Sequence, residues 1–203
     1  IMEGDTPSFL GLINNGLGWD RHPGYGGWGG RYVWYQPSGE TRPFWTNNAN
    51  SRDTVTAANG STDTSDQATI WRWRKAFQHD FAARMDWCVA DDHAKANHNP
   101  KAVLNGDQSK SVLTLSAKGG SEVKLTSEGT IDSDGDAVAT RWWIYQEAGT
   151  LEGATLSSGS DISTTIRLPK VDQLRTLHVI LEAEDDGTPS LFAYRRAVIE
   201  GTP

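Results

Sequence analysis

The stretch "LHVILEAEDDG" (Leu177–Gly187) sets apolar residues two apart at Leu177, Val179, Leu181 and Ala183, and the apolar-rich run "FAYRRAVIEG" (Phe192–Gly201) follows it. That is the pattern of a β-strand, and the acidic turn "EDDGTPS" (Glu184–Ser190) between the two runs reads as a structural connection. Working backward, the same grammar recurs in "STTIRLP" (163–169), "AVATRWWIYQEA" (137–148), "SEVKLTS" (121–127) and "SVLTLSA" (111–117). Strands about ten residues apart, punctuated by Gly, Asp and Pro, predict an antiparallel β-sandwich of immunoglobulin type. Trp142 and Trp143 are adjacent, so on a strand one faces the core and the other faces away. One is expected as the central ring of the sandwich. The other is either a binding platform or packs on the preceding region.

Before residue 91 the grammar differs. The chain has nine Trp, and Trp19, Trp28, Trp34, Trp45, Trp71, Trp73 and Trp87 all fall in this half, among many Gly and Asn. "NNANSRDTVTAANGSTDTSDQ" (47–67) reads as a long polar surface loop. A helix is predicted over about 66–88, with Ile70, Trp73, Phe77, Phe81, Met85 and Cys88 stepping by three or four along one buried stripe. Thr64 with Gln67 fits a capping box, and Asp66 suits the positive end of the helix dipole. "DDHAKANHNPKA" (91–102) reads as a polar linker over 91–101. The expected fold class is therefore mainly β with a minor α part. It comprises an aromatic-rich irregular segment with one amphipathic helix over 1–90, the linker, and the sandwich over 102–203.

Composition excludes several functions. At 203 residues the chain can bury a real core. A net charge of −7 without a basic block makes nucleic acid a poor partner. No run approaches the length of apolar residues that crosses a membrane, so no membrane partner is expected. The single cysteine, Cys88, excludes an intrachain disulfide and a thiolate metal site. The opening "IMEGDTPSFLGLI" reads as the middle of a fold, which suggests a processed or truncated form.

The chemical motifs are few. Asp132, Asp134 and Asp136 surround Gly135 in "IDSDGDAVATRWW". Alternating carboxylates at a tight turn can gather oxygens about Ca²⁺, although the EF-hand spacing is not met and Asp and Gly favour turns in any case. No other cofactor is indicated. His93 and His98 share the linker without a rigid scaffold, and His22 lies beside Asp20 in a loop. Asp5 precedes Pro7 as a helix start would have it, and could equally serve as a ligand. No nucleophile elbow is present, and "GYGGWGG" lacks the Lys of a phosphate loop.

"GYGGWGGRYVWYQP" (24–37) sets large rings on a glycine-rich backbone. Either the glycines fold tightly around buried rings, or the rings lie outward where sugar C–H faces can stack on them. Tyr25, Trp28, Tyr32, Trp34 and Trp45, with Arg31 and Arg42 at the rim, are the candidate platform, and Trp143 is a further candidate.

"EGDTPSFLGLINNGL", "GYGGWGGRY", "ATIWRWRKAFQHDFAARMDWC", "ANHNPKAVLNG" and "IDSDGDAVATRWWIYQEAGT", in this order, resemble the C-terminal portion of bacterial two-domain cellulose-binding proteins whose N-terminal domain is nucleoside-hydrolase-like. The resemblance makes residues 1–90 the tail of that domain and the remainder the family's C-terminal sandwich. Nucleoside hydrolases hold Ca²⁺ through an N-terminal aspartate cluster plus a late Asp, for which Asp5 is the matching position; the cluster itself is not in this sequence. The resemblance thus implies a secreted or periplasmic, non-catalytic module that binds a β-glucan such as cellulose. Two alternatives stand beside it. One is a fragment of a nucleoside- or glycoside-cleaving enzyme using Asp5, Asp20 and His22. The other is an adhesion or assembly module whose partner is the absent N-terminal domain or a second copy of the chain.

Overall fold

The computed structural model describes residues 5–203, with side chains from Pro7 onward. The chain divides into two compact units, Ile1–Asn14 with Gly18–Phe77, and Asn15–Leu17 with Gln78–Pro203.

The first unit is small and irregular. Helix α1 (Asp5–Gly11) is followed by two antiparallel ribbons, β1 (Val33–Tyr35) with β2 (Phe44–Thr46) and β3 (Asp53–Thr56) with β4 (Thr62–Ser65). The polar stretch read as a loop over 47–67 therefore contains a hairpin. Its threonines alternate across the ribbon, with Thr54 and Thr64 hydroxyls 2.9 Å apart. Glycine is required at the tip of "GGWGG". Gly27 and Gly30 exchange N–H···O bonds of 3.2 and 2.8 Å, and a methyl group on Gly29 would lie 2.8 Å from Gly11 Cα of α1. Gly30 has φ +90°, and a methyl there would meet Ile70 at 2.8 Å. The backbone thus runs against two helices with no room for side chains.

The short helix α2 (Ala68–Trp71) and the longer α3 (Arg74–Val89) replace the single predicted helix. The cap comes from Ser65, whose hydroxyl accepts from Ala68 N at 3.1 Å; Thr64 belongs to β4. The buried stripe also differs. Along α3 it runs through Ala76, Asp80 and Ala83, with the half-buried Trp87 beyond and Trp73 just before the helix, whereas Phe81, Met85 and Cys88 are exposed. Asp80 is admitted to the buried face because Arg84 Nε donates to it at 2.6 Å.

The second unit is a β-sandwich. One sheet has the order β5 (Leu113–Lys118), β11 (Phe192–Thr202), β10 (Arg175–Asp185), β7 (Val138–Ile144). The other has β6 (Glu122–Thr126), β9 (Ser163–Arg167), β8 (Thr155–Leu156). All pairings are antiparallel except β5 with β11, which is parallel. The core between the sheets is made by Leu125, Trp142, Leu151, Ile166, Leu177, Val179, Leu181, Ala197 and Ile199. Trp142 is its central ring, with Nε1 donating to Asp161 O at 2.9 Å, as one of the two adjacent Trp was expected to be.

Both faces of β11 are covered, and its adjacent arginines are buried on opposite sides. Arg196 Nε donates to Leu17 O at 2.9 Å, NH1 lies 2.9 Å from His178 Nδ1, and the guanidinium sits over Tyr145. Arg195 donates to Asp107 Oδ2 at 2.8 Å, to the Asp107 carbonyl, and to Ser111 O. The segment 91–101, read as a linker, is tied to this unit: Trp87 Nε1 donates to Asn97 O at 2.7 Å, Asn99 Nδ2 to Phe192 O at 3.1 Å, and Lys101 bridges Ile131.

Two outcomes follow from this architecture. Trp142→Ala should destabilise the sandwich by about 3–5 kcal/mol, read from denaturant unfolding of the full chain, because the ring fills the centre of a closed core. The Ser109 backbone N–H, and after it the Arg195 guanidinium, lower the Asp107 carboxyl from 3.8 to about 2. The stabilisation from a lowered carboxyl is complete above 3.8 and is lost as pH falls toward 2. Over that window the melting temperature of the wild type should fall more steeply than that of Asp107→Asn.

Candidate functional site

The ribbon β1–β2 concentrates exposed aromatic surface. Its register pairs Trp34 with Trp45 and Tyr35 with Phe44. Successive residues of a strand point to opposite faces, so Trp34 and Trp45 share one side and Tyr35 and Phe44 the other. Trp34 is 59% exposed, Trp45 44%, Phe44 42% and Tyr35 39%. The two indoles meet edge to face, centroids 5.5 Å apart at 63°, which fixes each ring against the other. Gly24 supports them from behind, since a methyl there would stand 3.3 Å from the Trp45 ring. The result is a pre-set aromatic surface rather than loose side chains.

The residues behind the ribbon serve the scaffold. Trp28 is only 2% exposed, so the expectation that it joins a platform is corrected: the bridge between Gly27 and Gly30 turns it inward. Arg31 is likewise engaged, with Nε on the fully buried Asp53 at 2.9 Å and NH2 on Arg52 O at 2.7 Å. Arg72 approaches the other Asp53 oxygen at 3.4 Å, so one buried carboxylate is shared by two guanidiniums. Tyr32 is half-buried, edge to face with Trp19 at 5.3 Å, and its hydroxyl is 3.3 Å from Ser8 Oγ. Tyr25 carries the stacked ring of His22 at 4.5 Å. Arg42 is exposed on the loop joining the two strands. Trp143, in the second unit, is half-buried beside Tyr145 at 5.4 Å.

Of the catalytic alternatives, Asp5 opens α1 but its side chain lies outside the described residues. Asp20 and His22 are exposed, Asp20 lying 3.9 Å from Arg21. The sequence reading passed over Phe44 and left Tyr35 out of the platform. The signal available was the pair of three-residue runs "VWY" and "FWT", whose antiparallel register exposes both.

A second polar region lies at one end of the sandwich. Trp87, His98 and His93 form a parallel stack, with centroids 5.5 Å and then 3.6 Å apart. Asp134 accepts from His98 N at 2.7 Å and lies 3.0 Å from its Nδ1. Among the described residues, His93, His98 and Asp134 are the one group of His, Cys or carboxylate ligand atoms all within 4.8 Å of one another. The stacked rings are within 5° of parallel, so their in-plane lone pairs run side by side instead of converging on one ion. Next to the stack is a cavity of about 690 Å³, lined on the acidic side by Asp134, Asp136 and Asp186. Burial, and after it the charges of Asp132, Asp185, Asp186 and Asp134, raise the Asp136 carboxyl. Burial foremost also raises Asp185, and Asp132 adds to it.

Comparison with known proteins agrees with this anatomy. Residues 122–201 match the family described as cellulose-binding protein Sde0182, C-terminal domain. Residues 1–32 match cellulose-binding Sde182, nucleoside hydrolase-like domain. Among curated proteins none matches. The solved structure of a nucleoside hydrolase-related hypothetical protein from Saccharophagus degradans, associated with carbohydrate metabolism, is similar with a TM-score of 0.81 and 34% identity. The likeness covers 99% of this chain and 48% of that one, so the chain spans about half the length of that protein. Its beginning matching the nucleoside-hydrolase-like domain and its sandwich the C-terminal domain, the chain resembles the C-terminal portion of this two-domain cellulose-binding protein family.

Proposed function

We propose that the chain is a non-catalytic module that binds a β-glucan such as cellulose by stacking sugar rings on the β1–β2 ribbon. The observation that carries this reading is the ribbon itself, where six strand residues expose four large aromatic side chains in two cross-strand pairs. Contiguous exposed aromatic surface marks a binding site on a soluble domain. A pyranose offers a flat apolar C–H face and a rim of hydroxyls, which suits a fixed indole flanked by polar groups. Asn47 and Arg42 flank the ribbon, although Asn47 Nδ2 is engaged by Arg31 O at 2.8 Å, which leaves Arg42 as the rim donor. The match to cellulose-binding proteins supports the ligand class, and the ribbon falls between the two matched segments, in a region that the structural likeness covers. The immunoglobulin-like sandwich then acts as the scaffold domain, and secretion or periplasmic export brings the module to its polysaccharide.

Affinity electrophoresis and pull-down with insoluble cellulose, xylan and soluble β-glucans test the reading. Trp34→Ala and Trp45→Ala should each weaken binding several-fold, on the order of 1 kcal/mol per lost stacked ring, while circular dichroism stays that of the wild type. Trp28→Ala should instead lower the melting temperature of the first unit, because its ring is packed inside. Glucan binding unchanged in the Trp34→Ala/Trp45→Ala double variant, or none in the wild type, sinks the proposal.

A further inference from the structure

We infer that the acidic end of the sandwich is a calcium site whose side-chain ligands are Asp132, Asp136 and Asp185 together with the amide oxygen of Asn97. Three buried oxygens there accept no hydrogen bond: Asp132 Oδ2, Asp185 Oδ2 and Asn97 Oδ1. Asp185 comes from the end of β10, outside the Asp132–Asp136 turn, and is 3% exposed. Its Oδ1 receives Asn97 Nδ2 at 3.0 Å, Gly187 N at 3.0 Å and Leu191 N at 2.9 Å, which fixes the carboxylate and leaves Oδ2 alone. Asn97 Nδ2 also donates to Pro189 O at 2.8 Å, so the amide orientation is set by two acceptors and its oxygen is the free end.

Buried oxygens with nothing donating to them are costly, the more so when two belong to carboxylates of like charge. A cation resolves all of them at once. Every candidate ligand atom is an oxygen, which selects a hard ion, and the mixed set of carboxylate and amide oxygens suits the large, irregular sphere of Ca²⁺ better than the strict octahedron of Mg²⁺. Gly187 makes the approach possible, because a methyl there would lie 2.6 Å from Asp136 Oδ2. Asp134 is occupied elsewhere, on the backbone and ring of His98. The carboxylates of Asp132, Asp136 and Asp185 stand wider apart than 4.8 Å as a trio, so coordination requires an inward turn of one side chain. Asp136, half-buried at the end of the exposed Ser133–Gly135 turn, is placed to make it.

The test uses the full chain, stripped with EDTA, and CaCl₂ alone as probe, by isothermal titration and thermal shift. Saturable binding with a dissociation constant of about 10⁻⁴–10⁻³ M and a raised melting temperature is expected, with MgCl₂ weaker. Asp132→Asn and Asp136→Asn should each weaken Ca²⁺ binding about tenfold or more. In calcium-free buffer at neutral pH the same variants should melt at or above the wild type, since each removes one of the repelling charges; this also shows that they fold. His98→Ala should leave the Ca²⁺ affinity within about twofold, which separates this site from the neighbouring histidine stack. Absence of any Ca²⁺-dependent heat or melting shift in the wild type overturns the inference, as does binding that survives unchanged in both aspartate variants or is lost in His98→Ala.

Discussion

Two guanidiniums inside one strand constrain the second unit. Arg195 and Arg196 are consecutive, so they leave β11 on opposite faces, and both are buried. A buried cation without partners costs several kcal/mol, and removing one member of such a pair leaves the other charge stranded. Each arginine therefore dictates what must be beside it. Arg195 draws in the Asp107 loop ahead of β5 and so anchors the segment that pairs in parallel with β11. Arg196 needs the Leu17 carbonyl, the His178 ring and the Tyr145 face, which ties a residue far upstream to the outer side of the sheet. Arg is suited to both tasks because its fork serves several acceptors and its plane stacks on an aromatic ring.

The first unit encloses one charge as well, the Asp53 carboxylate between Arg31 and Arg72, but its glycine tip works by the removal of side chains. Gly29 and Gly30 let the backbone touch α1 and α2, and Trp28, next to them in the chain, is buried. Beyond the glycine tip the following residues leave as a ribbon whose four large aromatic side chains are exposed. One tryptophan is thus buried at the tip and the next two are exposed beyond it.

The sandwich was readable from the sequence because period-two alternation is local and strands such as β5 and β6 carry it, while β10 and β11, buried along most of their length, stand out as long apolar-rich runs. The helix stripe was misread for a physical reason. Phe77, Phe81 and Met85 step by four and look like a core face, whereas the buried positions hold the small Ala76 and Ala83 and admit Asp80 through its bonds to Arg84 and Asn99. No hydrophobicity pattern rewards an aspartate. Trp28 and Trp34 likewise have the same chemistry, and what separates them is position: Trp28 lies inside the Gly27–Gly30 bridge and Trp34 on the ribbon that follows. The acidic turn was visible as a motif, but the Asn97 and Asp185 oxygens that join it lie 35 or more positions away in sequence.

The ribbon has one property that a flat binding plate lacks. With indoles on one side and Tyr35 with Phe44 on the other, it exposes aromatic surface on both flanks, as a blade would. A plate covers the outermost chains of a crystalline solid and stops there. A blade can enter a fissure and hold both walls, so its valence is two even in a single copy. Under the proposed glucan reading, grip of that kind would grow with the roughness of the solid and favour frayed and amorphous zones of a fibre over its smooth crystal faces.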